Sequence, residues 1–171
     1  PGQKLEEVTS MGLGHVGVYL KGTILAAADF PVALALSLPV WMPTADSAAY
    51  MGFDGWGIEP RLSVSGEVGP VKLATTLGYL VQPETQIFDL VDDDKITFRT
   101  GVEYHLEEVP VDFALEFSGA TQVEDVFNSE TTGGELIAGL RYGLTDTFDL
   151  HVGLGRGLVR GMPSPAARAF L

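Results

Sequence analysis

Residues Lys95 to Thr121 read KITFRTGVEYHL, then EEVP, then VDFALEFSGAT. In the first run Ile96, Phe98, Thr100, Val102, Tyr104 and Leu106 alternate with Lys95, Thr97, Arg99, Gly101, Glu103 and His105. In the second, Val111, Phe113, Leu115 and Phe117 alternate with Asp112, Ala114, Glu116 and Ser118. A period of two places successive side chains on opposite faces of an extended chain, whereas a helix repeats every 3.6 residues. The segment is therefore a β-hairpin with one apolar and one charged face, turning at Glu107–Pro110.

The same rule extends in both directions. Trp56 to Val68 sets Trp56, Ile58, Pro60, Leu62 and Val64 against Gly57, Glu59, Arg61, Ser63 and Glu67. Leu136 to Leu144 sets Leu136, Ala138, Leu140, Tyr142 and Leu144 against a face of glycines and Arg141. Strands are expected as well at Gly14–Leu25, Val32–Met42, Val71–Gln82 and Phe148–Leu154, with a ninth beginning near Ala166. The apolar window Ile24 to Met42 is interrupted by Pro31 and Pro39 and is too short for a spanning helix, which needs about 20 residues. It reads as a turn followed by a strand. Gly153–Gly157 (GLGRG) lacks the helix that a phosphate loop requires and reads as a bulged or kinked strand.

The connections alternate in length. Short ones fall at Ala26–Pro31, Gly69–Pro70, Glu107–Pro110 and Thr145–Thr147. Long ones rich in Gly, Asp and Ser fall at Pro43–Gly55, Pro83–Asp94, Gln122–Gly134 and around Met162–Pro165. Short turns at one end and long loops at the other are the pattern of outer-membrane barrels, whose strands run to roughly 9–11 residues. The expectation is an all-β chain, residues 1–171 forming one domain: an antiparallel up-and-down transmembrane β-barrel with eight to nine strands visible. The first connection being short, the first strand runs inward, so an odd number of strands is expected before Pro1, about twelve in all. Phe30, Tyr79, Tyr104, Phe113, Tyr142 and Phe148 are expected to form an aromatic girdle at the short-turn end, with Trp41, Tyr50, Phe53 and Trp56 in the outer one. The competing reading is a β-sandwich whose charged face meets water.

On the barrel reading the apolar face meets lipid and the charged face lines a lumen. Its charge network is Glu59, Arg61, Glu67, Lys72, Arg99, Glu103, His105, Asp112, Glu116 and Arg141. Turn geometry places Glu67 opposite Lys72, His105 near Asp112, and Arg99 diagonal to Glu116. Leu62, Leu77, Val102, Leu115 and Leu140 are expected to face lipid.

Composition removes several function classes. A net charge of −13 disfavours nucleic acid, and the absence of cysteine removes disulfides and thiolate chemistry. Asp149 and His151 share a face, but no serine stands beside them as a nucleophile, so the chain is read as a non-enzyme without a cofactor. Asp89, Asp92, Asp93 and Asp94 cluster in one long loop, and Glu124, Asp125 and Glu130 in the next. Oxygen-rich clusters suit a hard divalent cation, which makes Asp92, Asp93 and Asp94 metal candidates, against the plainer reading of solvated loop charge.

Three stretches carry a family resemblance: VALALSLPVWMPTAD (Val32 to Asp46), EPRLSVSGEVGPVKLATTLGY (Glu59 to Tyr79) and ELIAGLRYGLTD (Glu135 to Asp146). They resemble outer-membrane barrels of proteobacteria, including myxobacterial ones, which often precede an OmpA-type peptidoglycan-binding domain. The resemblance implies a location in the bacterial outer membrane, with lipid and lipopolysaccharide as partners. It implies no activity, and no peptidoglycan-binding residue transfers to this chain. The expected role is structural or porin-like, the alternative being an anchor that meets other envelope proteins through its loops, with a lumenal enzyme dependent on His151 ranked third.

Overall fold

The computed structural model describes residues 14–27, 30–45, 53–87, 90–145, 147–160 and 166–170. The strands are β1 (Gly17–Leu25), β2 (Val32–Trp41), β3 (Gly57–Ile58), β4 (Arg61–Val68), β5 (Val71–Leu80), β6 (Thr85–Ile87), β7 (Leu90–Asp92), β8 (Lys95–Leu106), β9 (Val111–Gln122), β10 (Gly133–Thr145), β11 (Phe148–Arg160) and β12 (Arg168–Phe170). Ten of them form one antiparallel up-and-down sheet in the order β1-β2-β4-β5-β8-β9-β10-β11-β12, with β3 paired to β2. β6 and β7 form a separate two-stranded sheet. The protein is all-β, and among the described residues no helix is long and apolar enough to cross a membrane. β1 and β12 are the two ends of the large sheet, and no pairing among the described residues joins them.

Each turn follows from its residues. Gly69 adopts φ +57°, a left-handed conformation that costs glycine nothing, and Pro70 completes the tight turn between β4 and β5. The β8–β9 hairpin closes with an unbroken register from Lys95↔Gln122 to Leu106↔Val111. The proline-broken window from Ile24 onward is the end of β1, a turn and β2, as expected. The expected strand Trp56–Val68 is divided into β3 and β4, because Pro60 has no N–H to donate to the ladder. Its register is kept across the gap, with Ile58 opposite Val40 and Arg61 opposite Ser37.

Other boundaries differ from expectation. β10 begins at Gly133 and β11 runs on to Arg160, where Leu136 and Leu154 were expected as limits. The glycines there hide the alternation. The irregularity expected within Gly153–Gly157 lies just after it: Glu135 pairs with Gly157 and Gly134 with Val159, leaving Leu158 as the extra residue. The long connection Pro83–Asp94 contains the unexpected β6–β7 hairpin, tied to β9 by the Gln122 side-chain amide, which donates to Val91 O. Tyr50, Asp89 and the loop around Met162–Pro165 lie outside the described residues.

Burial is inverted relative to a water-soluble core. Among the described residues no hydrophobic side chain is buried, while Ser37, Glu59, Gln82, Asp112, Thr121, Thr132 and Glu135 are. On the apolar face Leu77 is 57% exposed and Leu115 is 45% exposed.

Candidate functional site on the charged face

Register places the charged residues in rows across the sheet. Nearest the short turns, His105, Asp112, Arg141 and His151 are successive cross-strand partners on β8, β9, β10 and β11. Asp112 is 4% exposed and holds both neighbours: His105 Nδ1 lies 2.5 Å from Oδ1, and Arg141 Nε donates to Oδ2 at 2.7 Å. A second Arg141 nitrogen closes on the same oxygen, so Oδ2 takes both guanidinium contacts while Oδ1 faces His105. A buried carboxylate with charge-assisted partners on both oxygens is satisfied, as burial requires.

The next row holds Glu67, Lys72 and Glu103, with Lys72 Nζ 3.7 Å from Glu67 and 3.8 Å from Glu103. Further along, Arg99 Nε lies 3.2 Å from Glu116, one step diagonal because Arg99 pairs directly with Ser118. All three cross-strand placements expected from the turns are present, with their side chains within reach on one face. Toward the long loops Glu59 is 3% exposed and sits over Gly78, where any β-carbon would meet its Oε1. It accepts from Arg61 at 2.6 Å and from the Thr97 hydroxyl. All ten residues of the expected charge network thus have partners on this face: nine are ion-paired and His105 is hydrogen-bonded to Asp112.

The structure adds residues that sequence reading did not single out. Glu135, on β10, reaches over Gly155 of β11 to Arg168 of β12, with Arg168 2.6 Å from its Oε2. The two-residue period, continued one step before Leu136, places Glu135 on Arg141's face; Arg168 had no comparable signal. Trp41 shares a face with Ser37, the cross-strand partner of Arg61, and the Arg61 guanidinium lies 5.9 Å from its ring centroid. The outer-girdle assignment of Trp41 is therefore corrected: β2 turns it to the charged face. Phe53 is on that face too: its ring covers Gly57, the cross-strand partner of Trp41. Tyr79 belongs to the long-loop end, pairing with Ile96 and donating its hydroxyl to Asp94 at 3.1 Å. Phe30, Tyr104, Phe113, Tyr142 and Phe148 remain exposed beside the short turns.

The histidines separate. His15 uses both ring nitrogens, one toward Met42 O at 2.9 Å and the other accepting from Phe53 N at 3.1 Å. It ties the start of β1 to the following long connection. His151 stands opposite Arg141.

Of the metal candidates Asp92, Asp93 and Asp94, the first and last have protein partners. Asp92 is paired with Lys95 at 2.6 Å and accepts from the Gln82 side chain, while Asp94 takes the Gln82 N–H at 3.0 Å and the Tyr79 hydroxyl. These carboxylates fasten the β6–β7 hairpin to the sheet. Among the described residues no three His, Cys, Asp or Glu side chains converge as a metal set. No family model and no curated protein matches this chain.

Proposed function

We propose that this protein is an integral outer-membrane β-barrel of the proteobacterial kind its motifs resemble, structural or porin-like, with the charged face lining the lumen. The observation that carries the reading is the inverted burial: an apolar face over which no described residue packs a layer, backed by a face of paired charges. In water, contiguous exposed apolar surface of this extent is unfavourable and marks an interaction surface. A bilayer solvates it, and a lumen tolerates paired charges. A sandwich would need a second sheet over Leu62, Leu77 and Leu115, and among the described residues none covers them. Strands of 12 and 13 residues, β8 to β11, are long enough to cross with tilt. The aromatics beside the short turns then lie at the periplasmic interface, and the β6–β7 loop lies outside.

The anchoring alternative rests on that hairpin, which presents built structure at the loop end and not slack chain. Conductance in planar bilayers separates the two, since an anchor with a plugged lumen passes no current.

The absence of cysteine permits a direct test of facing. Single cysteines at Leu77, Leu115, Ala114 and Glu116, each carrying a nitroxide in the liposome-reconstituted chain, are compared for collision with oxygen and with a water-soluble nickel chelate. Oxygen collisions should dominate at Leu77 and Leu115, and nickel collisions at Ala114 and Glu116. The opposite pattern, or nickel access at all four, rejects the membrane reading.

A further inference from the structure

The charged face holds a cleft of about 360 Å³ near the long-loop end, within the size range of small-molecule sites. It exists because its floor carries almost no side chain: Ala120 on β9 faces Gly133 on β10. The adjoining row forms a wall, in which Thr76, Arg99, Ser118 and Glu135 are successive partners across β5, β8, β9 and β10.

Two wall residues keep hydrogen-bonding capacity toward the cleft. The Ser118 hydroxyl lines it and can both donate and accept. Arg99 has five N–H donors and meets Glu116 through Nε. An acceptor and a donor group therefore stand side by side on β9 and β8. Glu135 turns its carboxylate from the cleft, over Gly155 to Arg168.

Charge selects the class of ligand. Glu59 is neutralised by Arg61, Glu135 by Arg168, and Arg99 by Glu116. A charged solute would lose its hydration here without meeting an unpaired opposite charge. A hydroxyl group both donates and accepts, and so exchanges its bonds to water one for one. We infer that this cleft binds a neutral, hydroxyl-rich solute of monosaccharide size. The inference stands on the charged face alone and does not require the bilayer.

Isothermal titration of the full chain, refolded in detergent micelles, tests it with methyl α-glucopyranoside, glycine and choline as probes. Far-UV circular dichroism verifies the sheet in every variant. Saturable binding is expected for the glucoside, with neither charged probe binding as tightly. Ser118→Ala should weaken it about three- to tenfold, the span of one lost hydrogen bond. Ala120→Phe should abolish it by filling the floor while leaving every bonding group in place. The inference is overturned if a folded protein gives no saturable heat with the glucoside, if glycine or choline binds as tightly, or if Ala120→Phe leaves binding unchanged.

Discussion

On one face of the sheet, Leu62 and Leu77 stand side by side and Leu115 pairs with Val102, and among the described residues nothing packs above them. On the other, Arg61, Arg99 and Arg141 each meet a carboxylate. The first face makes a demand on its solvent and hardly any on its neighbours, because apolar burial is non-directional. The second makes specific pairwise demands, because a charge on a crowded face needs a partner at the right register. Substitutions on the two faces should therefore fail for different reasons: on the apolar face the charge introduced decides the cost, and on the charged face the partner lost does.

The largest effect should come from crossing that division. Leu115→Arg is expected to cost about 2–4 kcal/mol in a bilayer, the range for arginine on a lipid face near the midplane. Ala114→Arg, one residue away and directly opposite Glu103, should cost much less. Urea titration of liposome-reconstituted variants measures both, and equal costs would break the comparison.

Within the charged face the buried carboxylate should matter most. Asp112→Asn is expected to cost about 1.5–3 kcal/mol, the range for hydrogen bonds to charged groups. Adding Arg141→Leu to it should cost less than the two single changes summed, because both remove the same pair. Additive costs in the same titration would mean that Asp112 and Arg141 act independently, against the geometry.

The smallest effect is expected at the exposed pair. Glu67 and Lys72 are both well exposed at 3.7 Å, so Glu67→Gln should change stability by about 0–1 kcal/mol. Its effect should fade with added salt. A salt-insensitive loss above that range would place this pair with the buried ones.

The hairpin from Lys95 to Gln122 shows how much could be read directly. β8 has the limits expected of it and β9 extends one residue further, and the His105–Asp112 and Arg99–Glu116 placements follow from the turn between them. Where glycine replaces alternating side chains, as along β10 and β11, strand ends became illegible. The β6–β7 hairpin was hidden for another reason: three-residue strands carry too few residues to show a period.

The alternation of apolar and charged residues, the antiparallel order and the sorting of short turns from long loops were set by the sequence alone. Each is a local property: a period of two follows from extended backbone, and a short turn fixes which residues of two adjoining strands face each other. Contacts that skip a strand were decided only by the tertiary structure. Glu135 reaches Arg168 of β12 over Gly155 of β11, and Glu59 reaches Thr97 of β8 over Gly78 of β5. A glycine leaves a gap on the face of a strand, and which side chain fills it depends on the register and curvature of strands distant in sequence. The cleft beside Glu135 arises in the same way, from missing side chains at positions that come together only once the sheet is built.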